Sequence, residues 1–69
     1  MRNYKNYMME LSVAESTYTN TDWDAPARKF FYAGYFSAIA NLASNDKSLT
    51  EAENSEIQTK VEQLQRMIR

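Results

Sequence analysis

The stretch from Phe30 to Asn45 limits most strongly what this chain can fold into. It contains no charged residue, although a quarter of the chain is charged, and it holds all three phenylalanines and the only glycine. On a helical wheel, at about 100° per residue, Phe31, Tyr35, Ala38 and Leu42 fall on one stripe with Ile39 beside it, the spacing of a core-facing helix. A second apolar stripe, Tyr32, Phe36 and Ala43, lies next to the first. The remaining positions, Ala33, Ser37, Ala40 and Ser44, are small and uncharged. A helix on the surface of a small domain normally shows water a charged face. This one has none, so it is expected to pack on more than one side.

From the first stripe, Phe31 and Leu42 are expected in the core, where replacement by Ala costs about 2–5 kcal/mol. Small residues four apart (Gly34 and Ala38, Ala33 and Ser37, Ala40 and Ser44) flatten the helix surface and let a neighbouring backbone come close. A membrane span needs about 20 largely apolar residues. This run is shorter and is interrupted by Ser37, Asn41 and Ser44, so no membrane association is expected.

The flanking segments read as supports. Tyr4, Tyr7, Met8, Leu11, Ala14 and Tyr18 recur at helical spacing and predict an amphipathic helix over 3–16. A strand over 10–18 is the competing reading, from the alternation around Leu11 and Val13, but that alternation breaks at Glu15. Residues 17–24 are a polar connector in which Asp22 or Asp24 can cap the next helix, with Pro26 in its first turn. Asp24 and Arg28 have the spacing of a helix ion pair. Trp23 either staples the helix start to the core or serves as an exposed contact residue. The central helix is expected over 25–44, followed by a turn at 45–48. Thr50 and Glu53 form a capping-box pattern at the start of a third helix, 51–68. Leu49 and Asn54 hold the hydrophobic-staple positions, which a polar Asn54 leaves incomplete. Ile57, Val61, Leu64 and Ile68 follow at spacings of four, three and four. That seam is too short for a free-standing coiled coil and is expected to pack on the central helix, antiparallel because the connection is short.

The fold expected from these segments is all-α. A helical hairpin, 25–44 against 51–68, carries an additional N-terminal helix, making one small three-helix domain over 1–69. A core of this size supplies only ~3–5 kcal/mol, and small chains gain the rest from disulfides, metals or association. The chain has no Cys and no His, so association is the remaining route and a homo-oligomer, a dimer in the simplest case, is expected.

Composition also narrows the chemistry. Without Cys or His the common nucleophile pairs and zinc spacings are missing. One glycine cannot make a phosphate-binding loop, and the acidic run Asp46–Glu56 lacks the alternating ligands and the glycine of a calcium loop. Glu53 and Glu56 belong on a solvated helix face, unsuited to acid–base catalysis. The sequence therefore predicts a non-enzymatic protein with no cofactor and no metal. Eight basic and nine acidic residues give a net charge of −1, which does not favour nucleic acid. No signal-peptide pattern begins the sequence, and the lack of Cys suits the cytoplasm. Frequent Asn, Tyr, Lys, Ile and Phe fit a small phage or mobile-element gene.

The function expected first is a protein–protein interaction module, such as an inhibitor or regulatory subunit of a larger protein, acting as a homo-oligomer. Its interface is expected at Ala33, Ser37 and Ala40 with Phe36 as anchor and Trp23 contributing, so that Ala40→Glu gives monomer while the Phe31 core stays folded. One alternative is a nucleic-acid-associated regulator using Arg2, Lys5, Arg28 and Lys29. Another is a small-ligand binding protein with a pocket between protomers. The fold reading predicts a far-ultraviolet circular dichroism spectrum dominated by helix; a dominant sheet signal contradicts it.

Overall fold

The structure is a computed structural model, and it describes residues 3–21 and 26–68. Three helices follow one another: α1 (Tyr4–Thr19), α2 (Pro26–Ser44) and α3 (Glu51–Ile68). No strand occurs among the described residues. The all-α expectation is therefore met, and the strand reading of 10–18 is replaced by helix.

Two of the helices, α1 and α3, begin at caps that the structure shows. Asn3 caps α1, its side-chain oxygen accepting from the Asn6 N–H at 2.9 Å. The helix runs three residues past Ser16, which places Tyr18 in the core, while Thr17 Oγ1 donates to the Val13 carbonyl at 3.0 Å and Thr19 Oγ1 to the Ser16 carbonyl at 3.1 Å. Hydroxyl groups that favour loops in isolation are absorbed here by the last turns of a helix. At the start of α3 the capping box forms as the sequence predicts. Thr50 Oγ1 accepts from the Glu53 N–H at 3.1 Å, and Glu53 Oε1 accepts from the Thr50 N–H at 2.9 Å. The capping readings for Asp22 and Asp24, the Asp24–Arg28 pair and the role of Trp23 lie outside the described residues.

The core is built from four positions on α1 (Tyr7, Leu11, Ala14, Tyr18), three on α2 (Phe36, Ile39, Ala43) and four on α3 (Ile57, Val61, Leu64, Ile68). The α1 and α3 sets are members of the stripes read from the sequence. The α2 set corrects the sequence reading. Phe31 is 65% exposed and Leu42 50% exposed, whereas Phe36 is fully buried. The helix is turned so that the second stripe faces the core and the first faces water, with Ile39, beside the first stripe, buried as expected.

The reason lies in what α3 needs from α2. Gln58 Nε2 donates to the Ala40 carbonyl at 2.8 Å, and Gln65 Nε2 donates to Ser37 Oγ at 2.7 Å and to the Ala33 carbonyl at 3.4 Å. Amide side chains reach a helix backbone only where the intervening side chains are small, and Ala33, Ser37 and Ala40 provide that strip. Later residues of α3 meet earlier residues of α2, so the two helices run antiparallel. With this strip against α3, Phe36, Ile39 and Ala43 turn inward and Phe31 turns out.

The turn after α2 also ties down α1. Asp46 Oδ1 accepts from the Ser48 N–H at 2.9 Å and the Ser48 hydroxyl at 2.6 Å, while Asp46 Oδ2 accepts from the Tyr7 hydroxyl at 2.9 Å. The Ser48 bonds, helped by Tyr7, favour the ionised carboxylate and lower its pKa below the ordinary value. A depressed folded-state pKa contributes stability that is present above the unfolded pKa and is lost as pH falls through the folded value.

Three outcomes follow for stability. Phe36→Ala should lower the unfolding free energy by about 3–5 kcal/mol, while Phe31→Ala, which loses only its contacts with the Tyr32 and Tyr35 rings, should cost about 1 kcal/mol. Chemical denaturation separates the two, and equal losses would mean that α2 is turned as the first stripe requires. Thr50→Ala should cost about 0.5–2 kcal/mol through the lost cap. Acid titration of the fold should show a loss of stability below the ordinary carboxylate range that is smaller in Asp46→Asn; an unchanged acid limb would remove Asp46 from the account.

Candidate functional site

Turning α2 inward at Phe36 leaves an apolar surface on its outer side. Phe30 is 81% exposed, and Phe31 and Leu42 lie on the same outward half of the helix. The small residues between them, Gly34 and Ala38, are exposed as well. Alongside runs the facing edge of α1, where Met9 and Val13 are 54% and 60% exposed. Met9, Glu10, Val13, Thr17, Phe31 and Tyr35 line an open groove between α1 and α2 with a volume of about 330 Å³, Glu10 being its one charged residue. A few large apolar side chains exposed singly are ordinary on any protein, but a contiguous set marks an interaction surface.

Aromatic rings support the face from below. Phe31 makes an edge contact with Tyr32 (ring centroids 5.2 Å apart) and a stacked contact with Tyr35 (6.4 Å). Tyr32 and Tyr35 each touch the buried Phe36 ring at 6.2 and 6.0 Å, and Tyr32 meets Tyr18 of α1 at 5.3 Å. Aromatic pairs at these separations contribute about 0.5–1.5 kcal/mol beyond their burial. An unbroken chain of rings thus runs from the core to the exposed face and fixes the orientation of Phe31 without covering it.

The interface residues expected from the sequence occupy other places. Phe36 is in the core and is not available as a surface anchor. Ala33 and Ala40 are half-buried and, with Ser37, lie beneath the glutamines of α3. The close approach those small residues allow is made by α3 of the same chain. A glutamate at position 40 would therefore loosen the α2–α3 contact, and the expectation that Ala40→Glu leaves the fold intact is corrected. Trp23 lies outside the described residues. The residues that form the exposed face, Phe30, Phe31, Leu42, Met9 and Val13, were not singled out as a site by the sequence. The adjacent pair Phe30–Phe31 was the available signal, since a bundle that covers one side of a helix cannot bury both.

Among the described basic residues considered for nucleic acid, Arg28 and Lys29 are neighbours in the first turn of α2 and Lys5 lies in the first turn of α1. Arg28 lies over the Tyr18 ring, 4.0 Å from its centroid, and Nη1 donates to the Tyr18 carbonyl at 3.0 Å. Lys5 lies thirteen positions earlier along α1, roughly 20 Å away at the helical rise. Lys60 pairs with Glu15 across α3 and α1 at 3.1 Å, a partly exposed contact of the kind worth about 0–1 kcal/mol. Arg2 is outside the described residues. Among the described residues no group of three or more His, Cys, Asp or Glu side chains is placed to hold a metal, and no helix is long and apolar enough to cross a membrane. No family model, curated protein or solved structure matches the chain.

Proposed function

We propose that this protein is a non-enzymatic protein–protein interaction module whose working surface is the outward side of α2 together with the α1 edge of the groove. The observation that carries the reading is the exposure of Phe30, Phe31 and Leu42 on a helix side that bears no charge from Phe30 to Asn45. Water gains nothing from such a side, and desolvating it on a partner is favourable at about 25 cal/mol per Å². The ring chain beneath Phe31 favours binding, because side chains already ordered lose little entropy on docking. The α2–α3 hairpin is the scaffold in this reading, with α1 supplying the second wall. A regulatory or inhibitory subunit in the cytoplasm is the role that a chain of this size would fill, working by covering a surface on a larger protein and by self-association.

A photo-crosslinking amino acid at Phe31, compared with one at the exposed Glu62 of α3, tests the surface in the native host. Protein adducts are expected from position 31 and not from position 62. Adducts from both positions equally, or none from position 31, would refute the assignment.

A further inference from the structure

The structure carries an inference about what covers this face, and it rests on the reading of the face as a protein-binding surface. We propose that the occupant is a second copy of the chain, docked through α2 in an antiparallel two-fold contact that crosses at Gly34 and Ala38.

Charge is the first argument. A two-fold axis sets a surface against itself, so any charge near the axis meets its own kind. Phe30, Phe31, Gly34, Ala38, Asn41 and Leu42 span the outward side of α2 without a charge, which makes that side compatible with itself. Shape is the second. With the axis between Gly34 and Ala38, Gly34 packs on the partner subunit's Ala38, and Phe30 packs on the partner subunit's Leu42. The smallest residues meet at the crossing and the large ones meet at the ends, where diverging helices leave room.

Gly34 supplies an independent observation. Glycine within a helix is unfavourable relative to alanine, and the monomer has no use for it. Gly34 does not adopt a positive φ, and a Cβ added there would meet nothing within 4 Å. A second backbone crossing at this point would use the missing side chain. Area is the fourth argument. At ~200 Å² for a fully exposed aromatic side chain, Phe30 and Phe31 offer about 300 Å². With Leu42, Met9, Val13 and the small residues between them, the face reaches on the order of 600 Å² per copy, against about 800 Å² per partner in a standard interface. That area suits a reversible dimer and falls short of an obligate one.

Sedimentation equilibrium of the full chain over micromolar concentrations tests the proposal. Wild type should show a monomer–dimer equilibrium. Ala38→Glu and Gly34→Gln should each weaken the dimer by at least about tenfold, the equivalent of 1.4 kcal/mol, with the helical signal unchanged. Gly34→Gln should also raise the melting temperature of the isolated monomer, since it replaces a helix-breaking residue at an open position. Gln63→Glu on exposed α3 should leave the dimer as it is. A wild type that stays monomeric, or variants that dimerise like wild type, would overturn the second-copy contact. A Phe31 crosslink to a larger protein alongside a monomeric wild type would overturn this inference while leaving the binding face in place; absence of any Phe31 adduct would instead remove the face.

Discussion

Phe36 is the contact on which the rest of the structure depends. It is fully buried among the three helices, and the rotation of α2 that places this ring inside is shared by every other residue of the helix. Everything on the opposite side follows from the same rotation. With Phe36 in, the Ala33–Ser37–Ala40 strip faces α3, Tyr32 and Tyr35 lean toward α1, and Phe31 and Leu42 turn to water. A helix apolar on nearly all sides cannot be fully covered by two neighbours. The bundle therefore buries one side and leaves another exposed.

Polar contacts decide which side is buried. Hydrophobic burial alone would accept either stripe, since each offers aromatic and aliphatic groups of similar size. Gln58 and Gln65 break the tie, because their amides are half-buried against α2 and need acceptors there. Hydrogen bonds of this kind contribute about 0.5–1.5 kcal/mol each, which favours the rotation that makes them. The Asp46 carboxylate does similar work at the turn, where it joins Ser48 to the Tyr7 hydroxyl of α1.

Much of this architecture was legible in the sequence where one physical signal dominated. The α3 seam of Ile57, Val61, Leu64 and Ile68 is flanked mostly by polar residues, so its buried face was unambiguous. Thr50 and Glu53 carried their cap in their spacing alone. On α2 the period of the apolar residues established a helix but not its orientation, because two adjacent stripes both qualified. Choosing between them required the glutamines of α3, which read as ordinary solvated residues until the helices are placed side by side. Phe36 was misread as a surface anchor for the same reason. Small residues announce that a backbone will come close, but not whose, and the strip read as a meeting point between protomers serves α3 of the same chain. Gly34 and Ala38, the other small pair, are the ones left open.

The central claim is that α2 buries the Phe36–Ile39 side and presents the Gly34–Ala38 side to a second copy. The chain contains no cysteine, so single-cysteine variants Ala38→Cys and Ile39→Cys can be labelled by a thiol reagent without background. Labelling rates as a function of protein concentration are the most direct measurement. The account predicts that position 39 is protected at every concentration, whereas position 38 reacts rapidly in dilute solution and becomes protected as concentration rises. Rapid labelling at position 39, or a rate at position 38 that is slow in dilute solution or independent of concentration, would contradict it.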